Sequence, residues 1–319
     1  MQLDIVVVMD PIGGIKPAKD TTFAMLLEAQ RRGHRLLYVR PGGLALRDGR
    51  AGAAVAPLTV NDEPTEWFSL GESIDIEFGP GLVVLMRTDP PVDADYLHDS
   101  QLLDFAREQG ALVVNDPRGL RDFNEKLAAL RFPECCPPTV VSRDAATLKA
   151  FVNAHGQAVL KPLDGMGGRS IFRATAGEPN LNVILETLTA GGRHLAMAQR
   201  YLPEIVDGDK RVLLVDGEPV EYALARIPQG DEFRGNLAAG GRGEGRPLTA
   251  RDREIAARVG PEMKARGMLF VGLDIIGDWM TELNVTSPTG VRELDRQFGT
   301  NIAARLFDAI EARMRNAAA

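Results

Sequence analysis

Three residues in the run LDIIGDWMTELNV carry the most specific chemistry in the chain: Asp274, Glu282 and Asn284. Two carboxylates inside otherwise apolar strand-like sequence need a cation to offset their desolvation. A carboxylate–carboxylate–amide set suits magnesium, which keeps waters and bridges to substrate phosphates. Glu282 and Asn284 are two apart, so they share one face of a strand. Asp274 joins them only if pairing sets it opposite Glu282. A three-residue Gly277-Asp278-Trp279 loop does this, whereas a two-residue Gly277-Asp278 turn would put it on the opposite face.

A second constellation lies upstream, where QAVLKPL leads into DGMGGRS. Bare glycines let backbone N–H groups approach anionic oxygens closely. Lys161, Gly165, Met166, Gly167 and Gly168 therefore form a candidate phosphate loop, although the chain contains no Gly-Lys pair and so no P-loop. A glycine-rich surface hairpin tip reads the same way when taken alone. Lys126 in FNEKL supplies a second cation, and Arg211 and Arg226 sit on apolar strands flanking a glycine-rich segment, 228–247. Arg87 follows an apolar strand at its C-terminal end, where open α/β sheets place ligands.

The elements that must position these groups follow a βαβ pattern over the first 120 residues. LDIVVVM (3–9) reads as a strand buried on both faces, with Asp20 as N-cap and Gly33 as C′ residue of the helix that follows. HRLLYV (34–39), LVVLM (82–86) and ALVVN (111–115) read as further strands, with a helix from about 93 to 109, so a mostly parallel α/β sheet is expected. The loop after the first strand is DPIGG, which lacks the G-x-G-x-x-G fingerprint of a nicotinamide oxidoreductase. A proline-rich joint, RFPECCPP (131–138), opens a mixed α+β unit. There Ser142 is expected to cap a helix running to about His155, and SIFRA is expected to pair back on QAVLKPL. The remainder reads as strands, a long functional loop over 228–247, a helix at about 250–266 and a final helix at about 291–315.

Composition narrows the function classes. The 319 residues are 45% hydrophobic and 25% charged, with a net charge of −7 and a pI near 5.3, so no sequence-wide basic footprint for nucleic acid exists. No run approaches the ~18–20 apolar residues of a membrane span. The four histidines lack zinc spacing, and the two cysteines, adjacent at 135 and 136, make no disulfide framework. A reduced, cytoplasmic protein is the expectation.

Lys126, Lys161 before a glycine hairpin, and the Asp274…Glu282-x-Asn284 set together resemble the ATP-grasp superfamily. The stretches MDPI, TFAMLLEAQRRG, MRTDPP, LKPLDGMGG, DGDKRVLLVDGEPV, ARIPQG, RGNLAAGGRGE and TELNVTSPTG are similar to the bacterial glutathione synthetase family through essentially the whole chain. The resemblance implies an N-terminal α/β domain (1–122), a central lid (123–202) and a C-terminal ATP-grasp domain (203–316), with ATP between the last two. It implies joining of γ-glutamylcysteine to glycine through an acyl phosphate, with Mg2+ or Mn2+ on Asp274, Glu282 and Asn284. Lys126, Lys161 and the 165–168 glycine loop would hold phosphates; Gln199, Tyr201 and Leu202 the adenine; Asp209 the ribose. Arg211, Arg226, Asn236 and Gly241 would serve the reacting centre, and Arg87, Asp89, Ser287, Thr289 and Arg292 the peptide substrate. Homo-oligomers, commonly tetramers, are typical of such proteins. Another ATP-grasp carboxylate–amine ligase, of D-alanine–D-alanine or glutamate-adding type, and a non-catalytic nucleotide-binding module are the alternatives.

Overall fold

The protein is described by a computed structural model over residues 1–230, 232–237 and 240–318. Its first sheet has seven strands: β1 (Asp4–Val8), β2 (Arg35–Arg47), β3 (Arg50–Val60), β4 (Phe68–Leu70), β5 (Ile74–Glu77), β6 (Leu82–Met86) and β7 (Leu112–Val114). The order is β4-β3-β2-β1-β6-β7, with β5 paired to β3. β1 runs parallel to β2 and β6, and β6 parallel to β7, as the βαβ pattern requires. Helix α1 (Thr21–Arg31) begins where the Asp20 side chain accepts from Phe23 N, and it ends at Gly33, whose φ is 79°. Helix α2 (Ala94–Glu108) lies between β6 and β7.

The expected second strand continues to Arg47 and turns back at Asp48-Gly49, both with positive φ, the geometry of a two-residue hairpin. Strands β3, β4 and β5 therefore add antiparallel pairings to the parallel set, through residues whose weak alternation gave no strand expectation.

Two short helices, α3 (Pro117–Asp122) and α4 (Glu125–Ala129), lead to a four-stranded sheet ordered β10-β9-β11-β8. Its strands are β8 (Thr139–Ser142), β9 (Gln157–Pro162), β10 (Phe172–Thr175) and β11 (Ala196–Arg200), with helices α5 (Ala145–His155) and α6 (Leu181–Thr189). β10 pairs antiparallel with β9, so the glycine loop is a hairpin connection as expected. Asp144, not Ser142, caps α5: its carboxylate accepts from Ala146 N and Thr147 N, while Ser142 Oγ accepts from Asp144 N. A carboxylate one residue before the helix reaches both free N–H groups, which a hydroxyl three residues before it cannot. This sheet has its own core around Leu148, Val152, Leu160 and Leu185.

The third sheet is ordered β14-β13-β12-β15-β16, from β12 (Asp209–Val215), β13 (Glu218–Ile227), β14 (Arg242–Pro247), β15 (Phe270–Ile276) and β16 (Trp279–Asn284). It carries α7 (Ala250–Ala265), α8 (Val291–Phe298) and α9 (Ile302–Ala318). Residues 242–247, expected in the long loop, form β14 against β13 and narrow that loop to 228–241. The expected single C-terminal helix is two, broken at Gly299 (φ 66°), after which Asp295 Oδ1 accepts from Ile302 N. Core residues of the first and third sheets pack together, Val6 and Val84 with Leu273 and Val212, so these two sheets share cores.

Candidate active site

The metal-set strands meet by a route the turn alone does not predict. The β15–β16 turn is the two-residue Gly277-Asp278, with Ile276 opposite Trp279 and Ile275 opposite Met280. A bulge then inserts Thr281, and Asp274 falls opposite Glu282 with Gly272 opposite Asn284. The extra residue shifts the register by one and restores the shared face. Thr281 turns its Oγ1 onto the Asp274 carbonyl (3.3 Å), and its own carbonyl accepts from Lys161 Nζ (3.3 Å).

One cleft of about 550 Å³ gathers the expected residues from all three sheets. Of the proposed site residues, all but Arg87, Arg292 and Gly241 line it. Its floor is a charge lattice across β12, β13 and β15. Arg211 grips Asp274 with Nε (2.6 Å) and NH2 (3.2 Å), and Arg226 NH2 reaches both Asp274 (2.8 Å) and Asp209. The ladder dictates this, because Arg211 stands opposite Asp274 and Asp209 opposite Arg226. Burial opposes ionisation of Asp274, yet Arg211 and Arg226 hold its carboxyl well below the usual range. Asp209 is pushed up to about 6 by burial, and its Oδ1 has no hydrogen-bond partner among the described residues.

The two lysines differ in their partners. Lys126 pairs with Glu282 (2.9 Å) and donates to the Gly165 carbonyl (2.6 Å); burial opposes its charge, but Glu282 outweighs it and raises the amine's pKa. Among the described residues Lys161 has only long contacts, to Gln199 Oε1 (3.4 Å) and the Thr281 carbonyl, and burial lowers its pKa. Both ammonium groups sit in the cleft wall beneath the glycine hairpin.

That hairpin meets the long loop. Arg234 NH1 donates to the Gly168 carbonyl (2.7 Å), and a Cβ on Gly168 (φ 81°) would stand 2.8 Å from Asn236 Oδ1. Gly241 closes the base of the same loop: a Cβ there would lie 2.2 Å from the Gly235 carbonyl. It thus packs backbone on backbone instead of facing the cleft. Val159, Gln199, Tyr201, Leu202 and Ile276 also line the cleft.

On the N-terminal side, Ser287 Oγ hydrogen-bonds Asp89, and Thr289 lines the cleft with its carbonyl accepting from Arg211. Arg87 lies behind this surface. It donates to Thr22 Oγ1 (3.0 Å) and to the carbonyls of Thr286 (3.4 Å) and Pro288 (3.1 Å). Arg292, expected at the substrate, instead pairs with Asp62 (2.6 Å) and covers Phe23, because its position on α8 points it away from the cleft. Residues absent from the expected set also line the cleft: Lys16, Lys19, Asp20, Glu125, Arg200 and Glu293. Burial raises the carboxyl pKa of Asp20, Glu125 and Glu293, with Glu282 adding to the effect at Glu125. Glu125 adjoins Lys126 in FNEKL, which was the one available signal; the others are scattered polar residues with no spacing to betray them.

The residues present fit a divalent cation. Among the described residues no three His, Cys, Asp or Glu side chains converge on one point, so an all-protein cage is lacking. Hard cations of the magnesium type do not require one. Asn284 gives its Nδ2 to the Gly272 carbonyl (3.3 Å), which leaves the amide oxygen for a ligand beside Glu282.

Sequence profiles of the prokaryotic glutathione synthetase N-terminal domain and ATP-grasp domain match residues 3–121 and 125–299. The chain is 75% identical over 312 residues to a glutathione synthetase of Xanthomonas campestris pv. campestris, covering 98% of this chain and 99% of that one. It is 54% identical over 315 residues to a glutathione synthetase of Pseudomonas putida, covering 99% of each. Among solved structures, the D-cycloserine synthetase DcsG superposes with a TM-score of 0.66 at 16% identity, covering 97% of this chain and 99% of that one. A Chryseobacterium gregarium RiPP-associated ATP-grasp ligase, in complex with ADP and a leader and core peptide, superposes with a TM-score of 0.64 at 13% identity, covering 98% of this chain and 97% of that one. With the matching ATP-grasp domain profile, these likenesses give the ATP-grasp fold.

Proposed function

The chain belongs to the prokaryotic glutathione synthetase family, and from that premise we propose how its residues perform an ATP-dependent ligation. The protein is an ADP-forming ligase that joins γ-glutamylcysteine to glycine. A carboxylate is a poor electrophile, so the γ-phosphoryl of ATP first passes to an oxygen of the cysteinyl carboxylate and ADP leaves. The glycine amine then attacks the acyl carbon, and phosphate departs with the transferred oxygen. The observation that carries this reading is the meeting of Lys126, Lys161, Arg211, Arg226 and the Asp274/Glu282/Asn284 set in one cleft.

Phosphoryl transfer needs positioning and charge neutralisation more than covalent help. Lys126 and Lys161 hold the phosphates beneath the N–H groups of Gly165, Met166, Gly167 and Gly168. A divalent cation, Mg2+ or Mn2+, held by Asp274, Glu282 and Asn284 would neutralise the triphosphate oxygens. Gln199, Tyr201 and Leu202 take the adenine, and the unbonded Asp209 oxygen is available to the ribose. Arg211 and Arg226 face the transferred phosphoryl and the tetrahedral oxyanion, where preorganised cations act most strongly. Asn236 and the loop around it, closed at its base by Gly241, exclude water that would hydrolyse the acyl phosphate. Asp89, Ser287 and Thr289 bind the dipeptide. Arg87 supports them by holding the Thr286–Pro288 turn, and Arg292 braces α8 against Asp62.

The three sheets support a division at residues 122 and 202, into an N-terminal domain, a lid with its own core, and a C-terminal domain ending near 316. No helix among the described residues is long and apolar enough to cross a membrane, and Cys135 and Cys136 are unbonded and buried. A cytoplasmic homo-oligomer, a tetramer, remains part of the proposal; sedimentation equilibrium tests the state. The function is tested by incubating the protein with MgATP, γ-glutamylcysteine and glycine, then with D-alanine or glutamate replacing glycine. Glutathione, equimolar with ADP, is expected from glycine. Preferred turnover of another donor–acceptor pair would reassign the substrate, and ATP binding without turnover of any pair would overturn the ligase reading.

A further inference from the structure

The β15–β16 ladder ends at Asn284, and residues 285–289 continue without a strand partner. Side chains from the first 125 residues hold 285–288 instead. Asn115 Nδ2 donates to the Val285 carbonyl (2.7 Å), and Arg87 donates to the carbonyls of Thr286 and Pro288. Glu125, the first residue of α4, receives three donors on the single oxygen Oε1: Val285 N (3.0 Å), Thr286 N (3.1 Å) and Thr286 Oγ1 (2.8 Å). The next residue, Lys126, pairs with Glu282 at 2.9 Å. One turn of helix therefore meets both the end of β16 and the turn beyond it.

We propose that Glu125 is a positioning residue for the dipeptide, acting as a hydrogen-bond acceptor of fixed reach that sets the Thr286–Thr289 turn and so the hydroxyls of Ser287 and Thr289. The inference rests on the glutathione-forming reading of the cleft. Its effect is confined to the dipeptide side for a structural reason. Glu282 and Asn284 are fixed by ladder pairing with Asp274 and Gly272, whereas Val285 and Thr286 depend on side chains from outside the sheet. All three bonds converge on one oxygen, which a glutamine carbonyl can present at the same reach. Aspartate keeps the charge but is shorter by one C–C bond, about 1.5 Å, enough to take contacts of 2.8–3.1 Å out of hydrogen-bond range.

The test compares Glu125→Gln, which has reach without charge, with Glu125→Asp, which has charge without reach. Glu125→Ala and thermal unfolding of every variant serve as controls. Glu125→Gln is expected to keep the KM for γ-glutamylcysteine within about threefold of wild type. Glu125→Asp should raise it by about tenfold or more, the effect of losing one or two such bonds, with the KM for ATP changed less than about threefold. Wild-type glutathione formation reports separately on the reading of the cleft. The proposal is overturned if Glu125→Asp outperforms Glu125→Gln, if both lose equally, if neither differs from wild type, or if the KM for ATP rises in parallel. The ranking of the two conservative variants decides the question even if Glu125→Ala does not fold.

Discussion

Replacing Lys161 with methionine should sharply lower activity without costing stability, and the two effects together separate a catalytic cation from a structural one. Among the described residues Lys161 Nζ has two partners, at 3.4 and 3.3 Å, near the limit for a hydrogen bond. Glu282, Asp209 and Asp274 attract it, yet burial outweighs them and lowers its pKa. The charged form is therefore less favourable here than in water, and an apolar residue of similar length removes that penalty. Urea unfolding should show Lys161→Met unchanged or up to ~2 kcal/mol more stable, with Tm moving by roughly 2 °C per kcal/mol. Two charge-assisted bonds to phosphate, ~1.5–3 kcal/mol each, would be lost, so kcat/KM for ATP should fall by about 10²–10⁴-fold. Lys126→Met is the contrast: it breaks the 2.9 Å pair with Glu282 and should cost ~1–3 kcal/mol besides activity. A Lys161→Met protein that is clearly destabilised, or that binds ATP as well as wild type, refutes the reasoning.

Further outcomes can be checked independently. Arg31, with Arg32 and Asn301, holds the Glu28 carboxyl down at about 2 against an ordinary value of 4.5. Its contribution, up to about 3 kcal/mol, is complete above the unfolded value and lost as pH falls from about 4.5 toward 2. Between pH 5 and pH 3 wild type should therefore lose stability faster than Glu28→Gln, and parallel losses would contradict the assignment. Burial raises both cysteine thiols, Cys136 to about 12, so the folded protein should react slowly with a disulfide reagent at pH 8 and release two thiols only on unfolding; rapid labelling of the folded chain would contradict their burial. Gly168→Ala places a Cβ 2.8 Å from Asn236 Oδ1 at a φ of 81°, a strain of ~1–2 kcal/mol. It should part the glycine hairpin from the long loop and raise phosphate release per glutathione formed; unchanged coupling would show that the contact does not matter.

The fold class and the gathering of the candidate residues in one cleft were legible in the sequence, and the details of both were not, for definable reasons. Asp274, Glu282 and Asn284 stand out because charged and amide groups interrupt apolar strands, and buried polar groups demand a partner. Their shared face was legible only as a condition. The Thr281 bulge that meets it leaves no mark in the Gly277-Asp278 turn. Strands β3 to β5 escaped because small and polar residues blur the alternation on which strand reading depends. Arg87 stood out for its place at a strand end, but its partners at 286 and 288 are 199 and 201 residues away, and so these hydrogen bonds were hidden. Glu125 was missed for the same reason, since its bonds run to backbone 160 and 161 residues distant. Arg292 followed the general aptitude of helix starts for carboxylates, whereas the α8 orientation gives it to Asp62.

The central claim is that this cleft activates a carboxylate by phosphoryl transfer before the amine attacks. Labelling the cysteinyl carboxylate of γ-glutamylcysteine with 18O and analysing the released phosphate by mass spectrometry tests it directly. The account predicts one 18O atom in phosphate for each glutathione formed, and none in ADP. Phosphate free of label, with glutathione still produced, would contradict it.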